Sequence, residues 1–133
     1  MDQGPLVREE IEAGAELARR FDKSEPVKAA FWLRVPDDDE RYLYLVIGRD
    51  RNTSFRPAYE ALVRSMLELR NPDLDMLRVK LIGFDDPMGQ AAIEMQQHYP
   101  ASLSRRAYGV MFGNRFAGDL YVYPPLVPIS MPG

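Results

Sequence analysis

No cysteine occurs among the 133 residues, which removes disulfides, thiolate nucleophiles and sulfur-ligated metals from consideration. The single histidine disfavours a transition-metal centre built on imidazoles. There is no basic excess either: the net charge is -3 and the pI is near 5.2. Proteins that grip duplex nucleic acid usually present a concentrated basic surface, so that partner class is not expected. No apolar run approaches the roughly 20 residues that span a bilayer. The first ten residues, MDQGPLVREE, have an acid at position 2 and no apolar stretch, so no secretory signal is expected. The motifs HExxH and GxSxG and the Walker loop are all missing. These absences predict a cytoplasmic chain with no membrane or duplex partner, no cofactor and no metal, and they lean away from catalysis.

What is present is ordinary in amount. Hydrophobic residues make up 46% and charged residues 28%, the proportions of a soluble globular domain, and the length suits one domain over 1–133. Arginine greatly outnumbers lysine, a bias that base composition explains as readily as carboxylate or phosphate recognition.

The stretch from Tyr42 to Leu69 organises the rest. YLYLVIG, uncharged and rich in aromatic and β-branched residues, reads as a strand covered on both faces. The charged loop RDRNTSFR follows, and PAYEALVRSMLEL then reads as a helix over 57–69. Tyr59, Leu62, Val63, Met66 and Leu67 are its expected buried stripe.

Before this unit, residues 5–22 predict a helix with Pro5 in the first turn, acids Glu9, Glu10 and Glu12 early, and Arg19 and Arg20 late. Its stripe is Val7, Ile11, Ala15, Ala18 and Phe21, with Leu17 beside it. Gly14 costs such a helix about 1 kcal/mol against Ala unless packing needs it. Val27 to Val35 reads as a strand, joined through PDDDER to the Tyr42–Gly48 strand, and so short a link favours an antiparallel pair. Asp37, Asp38, Asp39 and Glu40 lack the glycine and distal acid of a calcium loop and read as a solvated turn.

After the central helix, MLRVKLIG predicts a strand from Met76 to Gly83, parallel to the Tyr42–Gly48 strand because a helix connects them. Asp85, Asp86 and Pro87 open a third helix, with an acid as N-cap and proline in the first turn. Met88, Ala91, Ala92, Met95 and Tyr99 form its stripe, and it ends before Pro100. Tyr108–Phe112 and Leu120–Tyr123 read as the last strands, with Gly113-Asn114 as a tight turn and Gly118 as a bulge or second turn. The ending PPLVPISMPG holds four prolines in ten residues, so 124–133 is expected to be an extended tail. Its Leu126, Val127 and Ile129 suit packing on the body or in a partner groove. The order α-β-β-α-β-α-β-β predicts a single α+β or α/β domain with a mixed five-stranded sheet and three helices.

The segments EPVKAAFWL, LYLVIGRD followed by RPAYEALVR, VKLIGFDDP and YVYPP resemble a group of small bacterial proteins of unknown function, over about Glu25 to Pro125. The resemblance implies one compact domain and brings no activity, cofactor or site residues with it.

Three functional readings follow. In the leading one, aromatic strands and the apolar tail make a non-catalytic protein-interaction or self-association module, including a homodimer. In the second, the loops leaving two parallel strands share a sheet edge, where open α/β sheets hold ligands. Arg49, Arg51 and Arg56 with Asp85 and Asp86 then form a small-molecule or anion site, or a small enzyme, over 49–56 and 84–88. The competing reading is that Asp85 or Asp86 caps a helix while the arginines pair with acids. The third is single-stranded RNA binding on Phe31, Trp32, Tyr42, Tyr44, Tyr108, Phe112, Phe116, Tyr121 and Tyr123, with Arg105, Arg106 and Arg115 nearby. Core packing explains most of those rings, and the helix dipole explains His98 at a helix end.

Overall fold

The computed structural model describes residues 8–36, 40–98 and 105–125. In chain order the elements are α1 (Arg8–Asp22), β1 (Val27–Arg34), β2 (Tyr42–Ile47), α2 (Arg56–Leu69), β3 (Val79–Gly83), α3 (Pro87–His98), β4 (Arg105–Phe112) and β5 (Arg115–Val122). The strands form one five-stranded sheet in the order β3-β2-β1-β5-β4. β2 and β3 are parallel and every other pair is antiparallel. The fold is α+β with the element order that the sequence predicts.

Period-two alternation divides the sheet into two buried faces. Leu43, Leu45 and Ile47 of β2 meet Leu17 and Phe21 of α1 and Ala58 and Leu62 of α2. Tyr44 and Val46 point the other way, toward Met88 and Ala92 of α3, and the Tyr44 ring stacks on Phe31 at 5.0 Å. The uncharged run is therefore a strand covered on both sides, as its composition requires.

β4 and β5 are longer than the sequence predicts, and their hairpin changes face. Leu120 and Val122 belong to the α3 face, so alternation alone would send Ala117 to the opposite one. Ala117, Val110 and Phe112 instead pack in the α3 core. The switch falls where Gly109 and Gly118 lie opposite each other, between the pairs Tyr108↔Asp119 and Val110↔Ala117. Gly109 has φ +62, open to glycine and strained for other residues. Gly118 thus marks a bend in a continuous ladder, neither a bulge nor a second turn. At the tip, Gly113 takes φ +61 at the first turn position, and a Cβ there would lie 2.6 Å from Pro87 and Met88 at the start of α3.

Helix orientation departs from the expected stripes. In α2 the buried residues are Ala58, Ala61, Leu62 and Ser65, whereas Tyr59, Val63 and Leu67 are exposed. The helix is rolled so that small side chains face the sheet and α1, which lets the backbones approach, and three large apolar groups face water. In α1 the buried line is Ala13, Gly14, Leu17, Ala18 and Phe21, with Ile11 and Ala15 only half-buried. Gly14 is required by packing: a Cβ there would run into the Tyr123 hydroxyl and lie 3.1 Å from Trp32 Nε1. Met76–Arg78 is a 3-10 turn rather than the start of β3, because the Asp75 carboxylate accepts the Leu77 amide at 2.9 Å and curls the chain. Leu77 is consequently 83% exposed. Pro5, Val7, the acids 37–39, Tyr99 and the tail 126–133 lie outside the described residues.

Candidate functional site

Parallel pairing of β2 with β3, Ile47 opposite Gly83, brings the loop 48–55 and the turn 84–86 to one sheet edge. The two are stitched by the Phe84 amide, which donates to the Arg49 carbonyl at 3.3 Å. Gly83 permits this closeness, since a Cβ there would collide with that same carbonyl. The starts of α2 and α3 flank a cleft of about 410 Å3 lined by Arg51, Phe55, Gly83, Asp85, Asp86 and Pro87.

The structure brings Arg51, Asp85 and Asp86 to one cleft, pairs Arg51 with Asp85, and engages Arg49 and Arg56 with other acids. Arg49 turns back to the start of β1, where its Nε and Nη2 donate to the two Glu25 oxygens at 2.9 and 3.1 Å. Its Nη1 donates to the Ser54 carbonyl at 2.9 Å. Glu25 is buried, and its hydrogen bonds push the Arg49 guanidinium above its ordinary pKa. The bidentate geometry makes Arg49 a clamp between the α1–β1 link and the loop after β2. Glu25 escapes the sequence reading because it stands in the polar link DKSEP, and no local pattern announces so distant a partner.

Asp85 accepts from the Arg51 amide at 3.2 Å and from Arg51 Nε at 3.1 Å. The backbone bond first, then the guanidinium, hold its carboxyl below the usual carboxylate range. A carboxylate so held is a poor proton acceptor near neutrality. Asp86 caps α3, accepting the Met88 amide at 2.9 Å, and Arg56 points outward, 3.7 Å from Glu60. Asp50 folds its own loop by accepting from the Asn52 amide and the Thr53 hydroxyl. The charges at this edge are thus largely committed to one another.

His98 is exposed at the end of α3, 3.7 Å from Glu94 and away from the cleft. Among the described residues no group of three or more His, Cys, Asp or Glu side chains could hold a metal ion. No helix formed by those residues is long and apolar enough to cross a membrane. Of the strand aromatics, Phe31, Trp32, Tyr44, Phe112 and Tyr123 are buried, while Tyr108 and Phe116 are exposed on the β4–β5 hairpin, and Arg106 donates to Asp119 at 3.1 Å.

Large apolar groups do reach the surface beside α2. Tyr59, Val63 and Leu67 recur at four-residue spacing, with Leu67 66% exposed. The Tyr59 hydroxyl accepts the Leu81 amide at 3.2 Å, which places this row along the outer edge of β3. A second group, Tyr108, Met111 and Phe116, is exposed on the β4–β5 hairpin. No protein-family model, no curated protein and no solved structure matches the chain.

Proposed function

We propose that the chain is a non-catalytic protein-interaction or self-association module. The observation that carries this reading is the row Tyr59, Val63 and Leu67 on the outer face of α2. A helix normally buries its large apolar stripe and exposes small or polar residues; here Ala58, Ala61 and Ser65 face inward instead. Large exposed apolar groups in line are a common mark of a contact surface. The test is solution mass across a dilution series together with capture of partners, each compared with Val63→Gln and Leu67→Gln. Association that disappears in the variants while their helical signal persists is the expected result. A chain that neither self-associates nor holds a partner through this row overturns the reading.

A second reading is favoured by one observation, the cleft between two helix starts at the ends of parallel strands. It makes the chain a small-molecule or anion-binding protein, or a small enzyme, with Arg51 at the binding edge. Titration with inorganic phosphate should then shift the amide resonances of Arg51 and Asp86–Met88, and Arg51→Ala should abolish the shifts. Unmoved resonances eliminate phosphate as the ligand.

A further inference from the structure

The order of charges on α2 determines what can dock beside its apolar row. Arg56, Glu60, Arg64 and Glu68 follow one another at four-residue spacing, and all four are exposed. Read from its midpoint, this row is antisymmetric: each residue is opposite in sign to the one equally far beyond the midpoint. Such a row is its own complement when a second copy lies antiparallel to it. Glu60 then faces Arg64 of the second copy and Arg56 faces its Glu68. In a parallel two-fold pair centred on the apolar row, the charged rows fall on opposite flanks and make none of these contacts, so the antiparallel orientation is favoured. The apolar row obeys the same reflection, with Tyr59 facing Leu67 and Val63 facing itself. Its centre lies one residue from that of the charged row, so a docking centred on the apolar row offsets the charged pairs by two residues, about 3 Å along the axis, a gap that long Arg and Glu side chains span.

We infer that two copies of this chain form an isologous dimer through the outer faces of their α2 helices, packed antiparallel. This rests on the interaction reading and names its partner. Strand addition at the neighbouring sheet edge competes poorly, because the β3 amides of Val79 and Leu81 are already donated to the Met76 carbonyl and the Tyr59 hydroxyl. Within one chain Glu68 meets Arg20 at 3.3 Å, an exposed pair that exchanges partners at little cost. Among the described residues Arg64 forms no ion pair and Glu60 has the exposed 3.7 Å pair with Arg56, which also exchanges at little cost, so Glu60 and Arg64 are the pair to reverse.

The experiment is sedimentation velocity on the full chain across about a hundredfold dilution. The wild type is expected to dimerise. Glu60→Arg alone, or Arg64→Glu alone, sets two like-charge contacts across the symmetry axis and should weaken association roughly tenfold. Mixing the two single variants should restore it, because every contact between them is then opposite in sign, and the double variant should recover as well. All four residues are exposed, so unchanged thermal melts in dilute solution check that the variants fold. Single variants that dimerise like the wild type, or a mixture that stays apart, overturn the inference. A dimer that ignores these reversals but dissociates on truncation after Pro125 places the interface at the tail: self-association stands and the α2 contact falls. A monomeric wild type that loses a captured partner on Leu67→Gln keeps the interaction reading and eliminates the second copy.

Discussion

Tyr123 shows how much one side chain can join. Its hydroxyl accepts from Trp32 Nε1 at 2.8 Å and donates to the Ile11 carbonyl at 2.6 Å, linking the residue just after β5 to β1 and α1. Its backbone carbonyl accepts from Gln96 of α3 at 3.1 Å. Tyr123→Phe leaves the buried Trp32 donor unpaired and removes the second bond to the Ile11 carbonyl, so it should cost about 1–3 kcal/mol, read as a lower urea midpoint. Burial, more than any neighbour, pushes the Tyr123 phenol above its ordinary pKa. Its contribution to stability is therefore full below the unfolded value of about 10 and is lost as pH rises toward the folded one. Asp85 works in the opposite sense. Its folded value is depressed, so its contribution is present above the ordinary carboxylate value and is lost as pH falls through the folded one. The side-chain carboxyl resonance of Asp85 should titrate below the ordinary range, and Arg51→Ala, which removes the guanidinium but leaves the backbone amide, should move it part of the way back.

At the scale of elements, α2 gives the sharpest contrast. Leu62 is fully buried, and Leu62→Ala should cost about 2–5 kcal/mol. Leu67→Gln, at a water-facing site with a good helix former, should change monomer stability by less than about 0.5 kcal/mol. Thermal melts in dilute solution distinguish the two. The same helix marks the boundary of what was legible beforehand. Its existence and ends could be read from Pro57 and the helical period. Its roll could not, since residues 58, 61, 62 and 69 and residues 59, 63, 66 and 67 each make an acceptable apolar line, and only the neighbouring α1 and the sheet choose between them.

At the scale of the molecule, the β4–β5 hairpin completes the second core by turning its tip onto the α3 face. Phe112 meets Phe31 edge-on at 4.9 Å as a result. Gly109→Ala has space, the nearest atom being 3.8 Å from the added Cβ, yet the positive φ is unsuitable for an L side chain. It should cost about 1–2 kcal/mol. The loss should appear as faster amide exchange across 110–117, with β1 and β2 still protected.

By itself the sequence determined the kinds of element, their order, and the parallel relation of β2 to β3, because uncharged runs, helical spacing and short or helical connections are local features. It also brought Arg51 and Asp85 to one edge, since parallel strands put the loops after them on the same side. Only tertiary structure decided that Arg49 belongs to Glu25, that Leu77 leaves the core, and which face of α2 meets water. Each of those outcomes compares the burial of one side chain with another across distant parts of the chain, and no local window contains both terms.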